Sequence, residues 1–146
     1  MKIFISLLLI STLAISAQID EFASTNNYSR DYNSAAKIAK KHNKLIMLVV
    51  VSDYCPWCKK FEKKTLSSDL VKNKVQKNLI PIIINKNKDK EKYPAKFYSK
   101  LVPTVIFINP KTSKRVYESL GYMKKSDFIQ EIDIALKKFN KMKNNV

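Results

Sequence analysis

The chain has 146 residues, 45% of them hydrophobic, which is enough for one compact core and too short for two ordinary domains. One Gly and five Pro argue against collagen-like, linker-like and many-turned all-β architectures, and the hydrophobic fraction argues against a disordered tail. The formal charge of +16 is almost all Lys, scattered along the chain, with Arg30 and Arg115 the only Arg. No RRM, helix-turn-helix or zinc-finger pattern accompanies it, so nucleic acid is not an expected partner.

Residues 1–17 read as a signal peptide. Met1-Lys2 supplies a positive start, Ile3 to Ile15 is an apolar run of about 13 residues, and Ala14, Ser16 and Ala17 are small. The run falls short of the roughly 20 residues that span a bilayer. Cleavage after Ser16 or Ala17 is expected, with an uncleaved anchor as the alternative. No Cys at the junction invites a lipid anchor. No later apolar run is long enough for a span, so the mature protein is expected in the periplasm or outside the cell, without stable membrane insertion.

Residues 18–30 are polar and mixed, and read as a loose lead-in to a domain over 31–146. Helical spacing of Tyr32, Ala35, Ala36, Ile38 and Ala39 predicts a helix over 31–42, capped by Asp31 or Asn33. Asn43-Lys44 reads as a turn. Leu45 to Val51 is continuously apolar and rich in β-branched residues, as in a strand buried on both faces. After Ser52-Asp53-Tyr54 comes Cys55-Pro56-Trp57-Cys58, followed by a helix to Leu66 with Cys58, Phe61, Thr65 and Leu66 inward. A second short helix over 67–77 opens on Ser68-Asp69. Leu79 to Ile84 is a strand, Asn85 to Glu91 a charged loop, and Lys92 to Lys100 a helix with Tyr93, Phe97 and Tyr98 inward. Strands at Thr104–Ile108 and Arg115–Leu120 flank a turn at Asn109-Pro110-Lys111. Ser126 caps a last helix to Lys143, whose apolar stripe is Phe128, Ile129, Ile132, Ala135, Leu136 and Phe139. Strands alternating with helices, then a hairpin and a helix, predict an α/β fold with a mixed sheet of four to five strands and helices on both faces.

The only two cysteines lie three residues apart. A structural disulfide gains most by closing a long loop, so this pair reads as chemistry. Following a strand and opening a helix, it meets free N–H groups and partial positive charge that favour a thiolate. In such C-x-x-C sites thiol pKa values run from about 7 down to about 3.5, against about 8.5 for free Cys. Cys55 is then the exposed nucleophile that forms a mixed disulfide, and Cys58 resolves it. Pro56 suits a first helical turn, and Trp57 offers a flat apolar surface beside the nucleophile. Zinc would need four ligands, and His42 alone supplements the pair, so no metal or other cofactor is expected. An inert disulfide is the plain alternative.

The run LIMLVVVSDYCPWCKKFE from Leu45 to Glu62 resembles the strand–CxxC–helix of the thioredoxin-like superfamily. The run LVPTVIFIN from Leu101 to Asn109 resembles that family's second landmark, and Gly121-Tyr122 after the last strand fits as well; the resemblance covers about residues 30 to 142. It implies a thioredoxin-like fold, a cis Pro103 packed beside the disulfide, and Val102 backbone groups that pair with bound substrate. The sequence departs from cytosolic thioredoxin in carrying Val49 where that protein has a buried Asp, and Pro-Trp between the cysteines in place of Gly-Pro. Glu62 resembles the Glu of exported relatives with CxxCxxxE and is a candidate proton acceptor for Cys58; the alternative is a surface Glu paired with Lys. The implied function is thiol–disulfide exchange with protein thiols and a redox partner protein. Reduction is the expected direction, because the domain is bare and resembles reducing members of the family; the added dimerisation region usual in isomerases is not seen, and a monomer is expected. Disulfide oxidation, or a non-catalytic peptide-binding or chaperone module using the Trp57 and Val102 surface, is the rival reading.

Overall fold

The computed structural model describes residues 10–144, with side chains from 18 onward. The signal-segment reading of 1–17 thus lies outside the fully described residues. Five α-helices flank one mixed sheet among the described residues: α1 (Ile10–Asn26), α2 (Tyr32–His42), β1 (Leu45–Val51), α3 (Pro56–Phe61), α4 (Asp69–Asn78), β2 (Leu79–Asn85), β3 (Thr104–Ile108), β4 (Arg115–Leu120) and α5 (Lys125–Asn144). Strand order is β2-β1-β3-β4. β1 runs parallel to β2 in the register Leu45↔Leu79 and antiparallel to β3 in the register Ile46↔Ile108, and β4 closes the other edge antiparallel to β3.

Every residue of β1 is buried, and the two-residue strand period sorts them into two cores. Leu45, Met47, Val49 and Val51 join Phe61, Leu66, Val71, Val75, Phe107, Phe128, Ile132 and Phe139 on one face. Ile46, Leu48 and Val50 join Tyr32, Ala35, Ala39, Phe97, Ile106 and Ile108 on the other. Each such side chain gains roughly 1.5–3 kcal/mol by leaving water, so a one-residue slip of β1 would exchange both layers and is strongly disfavoured. Pro81 lies in β2 at the sheet edge, where a missing N–H is tolerated; its carbonyl instead accepts from Ser29 N–H at 2.9 Å.

Several local expectations are corrected. The lead-in 18–30 is not loose: α1 continues to Asn26, and Ile19, Ala23 and Tyr28 are buried in the first core. Arg30 locks this segment, donating to the Ile83 carbonyl at 2.7 Å and pairing with buried Asp89 at 2.8 Å. No helix spans 92–100. Two 3₁₀ turns, Lys90–Lys92 and Ala95–Phe97, flank an extended Tyr93, because the ring of Pro94 disfavours α conformation in the residue before it. Tyr93 and Phe97 turn inward, but Tyr98 is exposed, as is Ile38 in α2. α3 is shorter than expected, giving way to a π-helical turn at Glu62–Leu66. Ser68 holds the cap position of α4, but its hydroxyl donates to the Thr65 carbonyl instead. α5 begins at Lys125, so Ser126 lies inside its first turn and donates to Asp127. Asp31 does cap α2, accepting from Ser34 N–H at 3.0 Å.

Candidate active site

β1 delivers the chain through Ser52, Asp53 and Tyr54 to Cys55, which takes the N-cap position of α3 with Pro56 at the first helical position. Cys55 and Cys58 are joined as a disulfide with Cα atoms 5.2 Å apart. Cys58 is 1% exposed and Cys55 9%, so Cys55 is the more exposed of the two cysteines. The Cys58 N–H donates to Cys55 Sγ at 3.2 Å, an interaction that stabilises negative charge on that sulfur when the pair is reduced. Tyr54, immediately before it, is 87% exposed and holds φ at +54°, a left-handed conformation rare for a bulky residue.

The loop before β3 closes one side of the pair. The Val102–Pro103 peptide is cis, Pro103 is buried, and the Val102 carbonyl oxygen lies 4.0 Å from Cys55 Sγ. Among the described residues Val102 enters no backbone hydrogen bond. Its neighbours are held firmly: the Thr104 and Ser99 hydroxyls both donate to the Leu101 carbonyl, at 2.7 and 2.9 Å. Gly121 N–H donates to the Pro103 carbonyl at 2.8 Å. Gly121 does so at φ +81°, where a side chain is disfavoured.

Trp57 is 56% exposed and packs on Tyr122, with ring centroids 5.7 Å apart. Tyr122 in turn meets Phe61 edge-on, and Phe61 meets Phe128 in the core. This aromatic chain sets the position of an exposed Trp from the core outward. Lys60, one helical turn after Trp57, places its Nζ 4.9 Å from the Trp57 centroid and 4.8 Å from that of Tyr122.

Behind Cys58 lies a cavity of about 80 Å³ lined by Gln18, Ile19, Ser52, Asp53, Glu62 and Asn85, among others. Glu62 stands where α3 widens into the π turn, a distortion that often marks functional positions. Burial pushes its carboxyl up to about 7, against a smaller downward pull from the Lys59 ammonium. Among the described residues Glu62 makes no ion pair within 4.0 Å; it is partly buried, with Lys59 as the cation that acts on it. Asp53, in the same cavity, accepts from Asn85 Nδ2 at 2.8 Å and lies 3.4 Å from Lys88 Nζ. Val49 is fully buried in the apolar core.

The six site residues expected from sequence, Cys55, Trp57, Cys58, Glu62, Val102 and Pro103, thus all fall at one end of the sheet, around the disulfide. Exposed His42 ends α2, and among the described residues no cluster of three or more His, Cys, Asp or Glu is placed to hold a metal. Sequence reasoning missed the site neighbours Tyr54, Lys60, Asp53 and Asn85, and the cavity walls from α1. It noticed Tyr122 without giving it a place at the site. None of these carries a periodic signal, and Gln18, Asn85 and Tyr122 come from segments distant in the chain.

The thioredoxin-like domain family matches residues 32–136. Among solved structures, a DsbH oxidoreductase superposes with TM-score 0.64 at 19% identity, covering 75% of this chain and 83% of that one. A thioredoxin from Thermus thermophilus gives TM-score 0.63 at 20% identity, covering 70% and 82%. The reduced C-terminal domain of DsbD from Neisseria meningitidis gives 0.56 at 21% identity, covering 69% and 90%. No curated protein matches. With its family match over most of the chain, its four-stranded mixed sheet and a disulfide in a CxxC at the start of α3, the chain belongs to the thioredoxin-like family.

Proposed function

We propose that the protein is an exported thiol–disulfide oxidoreductase that reduces protein disulfides. The observation that carries this is the asymmetric, disulfide-linked pair at the start of α3, with its more exposed cysteine beside the unpaired backbone of Val102. In the reduced protein the Cys55 thiolate attacks a substrate sulfur. The substrate S–S bond breaks, one substrate thiolate leaves, and Cys55 is held in a mixed disulfide. An extended substrate segment lies along Val102, pairing with its N–H and C=O as an added strand, with Trp57 as an apolar wall. Cys58 then attacks Cys55, releasing the second substrate thiolate and closing the Cys55–Cys58 disulfide. That step needs the Cys58 thiol to lose its proton, and Glu62, across the small cavity and titrating near neutrality, takes it. A second thiol protein restores the dithiol by the reverse sequence.

Export rests on the short apolar run of 1–17. Among the described residues no helix is long and apolar enough to cross a membrane. Cleavage after Ser16 or Ala17 would leave Ile19, Ala23 and Tyr28 in place in the core. N-terminal sequencing of the exported protein should begin at Ala17 or Gln18; an intact Met1 in a cytosolic fraction would overturn the assignment.

Direction is tested by equilibrating the 55–58 pair against glutathione. Reductase work requires a potential near that of thioredoxin, about −270 mV, whereas one near the DsbA value of about −120 mV would make the protein an oxidase. No redox equilibrium at all would leave a peptide-binding module with an incidental disulfide.

A further inference from the structure

We propose that Trp57, Lys60 and Tyr122 form a recognition subsite for a carboxylate side chain flanking the reactive cysteine of a polypeptide substrate, so that the protein exchanges disulfides preferentially with acidic segments. This inference rests on the thiol–disulfide reading above and names the substrate class of that same site.

The Lys60 ammonium sits over two aromatic rings, at 4.9 and 4.8 Å from their centroids. Among the described residues no carboxylate pairs with it. The ring faces attract the cation and fix its place, while its N–H donors stay available to an incoming acceptor. Trp57 is only two residues from Cys55, and its half-exposed ring is braced through Tyr122 against Phe61. The charge is therefore presented at a set place on the short helix that Cys55 caps, on a side chain that would otherwise sweep freely through solvent.

The surroundings agree in sign. Lys64 and Lys124 are exposed, while Lys59 and Lys63 face the groove they share with Glu21 and Glu62. The two carboxylates nearest the disulfide in sequence, Asp53 and Glu62, line the cavity behind Cys58, and Asp53 is already engaged by Asn85 and Lys88. Exposed Tyr54 and Leu101 add apolar surface around the sulfur. A polypeptide crossing this rim meets apolar contacts punctuated by cations. A Glu or Asp beside its cysteine completes an ion pair that the rings partly shield from water; a Lys there meets like charge. The subsite takes no part in electron transfer: the Cys55–substrate bond forms as the substrate S–S bond breaks, and the departing peptide carries the electron pair as a thiolate.

The test uses the Cys58→Ser protein, which stops at the mixed disulfide. It is offered three symmetric disulfide-linked peptide dimers, identical except for Glu, Gln or Lys beside the cysteine. Adducts on Cys55 are counted by mass spectrometry at early times in 0.15 M salt, where the Debye length of about 8 Å suppresses long-range attraction. Rates are normalised to those of 2-mercaptoethanol with the same peptides. The Glu peptide should react about fivefold faster than the Gln peptide, and the Lys peptide slowest. Adding Lys60→Gln should bring the Glu-to-Gln ratio close to one, Lys60→Glu should invert it, and Lys60→Arg should keep it. Lys114→Gln, at the far end of the β3–β4 turn, should leave the ratio alone. Equal rates for the three peptides, or an equal effect of Lys114→Gln, would overturn the subsite while leaving the thiol–disulfide reading intact. No adduct with any peptide would overturn both.

Discussion

The two sulfurs of the disulfide face unlike neighbourhoods. On the side of Cys55, the Val102 carbonyl lies 4.0 Å from the sulfur, and the short helix that Cys55 caps carries Trp57, packed on Tyr122 beneath the Lys60 ammonium. Around Cys58 the groups are mixed and half-enclosed: Ser52, Asp53, Glu62 and Asn85 together with Ile19, Val51 and Lys59, about a cavity of roughly 80 Å³. The exposed side offers contact area and charge to something arriving from solvent. The enclosed side offers a titratable group in a poorly solvated place. The difference shows how one short helix start separates binding from proton movement, by giving each cysteine its own environment.

That division can be broken most sharply at the sulfurs themselves. Cys55→Ser should form no mixed disulfide, and exchange activity should fall below about a thousandth of the starting level, whereas Cys58→Ser should accumulate adducts on Cys55. Alkylation of the reduced protein at mildly acidic pH, mapped by mass spectrometry, should label Cys55 first. Preferential labelling of Cys58 would reverse the assignment of the two sides.

The enclosed side is tested at Glu62. Glu62→Gln should slow resolution of the mixed disulfide at pH 7 by about ten- to a hundredfold, with little change in the first attack, as rapid-quench kinetics can separate. The same substitution has a signature in stability. The Glu62 pKa is raised in the folded protein to about 7, so between the ordinary carboxylate range and about 7 the folded state holds a proton that the unfolded state has lost. Stability therefore falls as pH rises through that window and levels off above it. In the Glu62→Gln protein this loss is gone. Denaturation of the oxidised form should show a gain on the order of 1–2 kcal/mol at pH 8, after allowance for partial exposure, and almost none at pH 4. An unchanged pH profile would remove Glu62 from the proton path.

The exposed side is tested at Trp57. Trp57→Ala should weaken capture of peptide disulfides by the Cys58→Ser protein about tenfold, in line with loss of a half-buried aromatic anchor. An equal loss in the closing step would mean that Trp57 serves both sides. An effect on stability alone is expected at Gly121. Gly121→Ala meets no atom within 4 Å of the new Cβ, so its cost is conformational, about 1–2 kcal/mol for a side chain at positive φ, read by thermal denaturation. A cost several times larger would mean that the link from Gly121 to the Pro103 carbonyl carries more of the loop's order than its single hydrogen bond implies.

Much of the fold was legible because its signals are local. Leu45 to Val51 is apolar throughout and became a strand buried on both faces; Phe128, Ile132, Ala135 and Phe139 repeat at helical spacing and became the buried stripe of α5. The misreadings have equally particular causes. Gln18 to Asn26 lacks a strong stripe, and its helix is secured by Ile19 and Ala23 meeting a core assembled from later segments. The run 92–100 has apolar residues at helical spacing, but Pro94 forces Tyr93 into an extended conformation and the chain makes two short turns instead.

What the sequence by itself determined is the placement of Cys55 and Cys58 where a buried strand becomes a helix, since a strand, a Pro at a first helical position and a three-residue cysteine spacing are all written in consecutive residues. Only the tertiary structure decided what each sulfur sees. Glu62 titrates high because it is buried, in a cavity to whose lining residues more than 40 positions earlier contribute, Ile19 among them. Lys60 is held over two rings because Tyr122, more than 60 residues later, packs on Trp57 and Phe61. Desolvation and ring stacking depend on which surfaces meet in space, and neighbours brought together by separate strands and helices leave no pattern along the chain from which that meeting could be read.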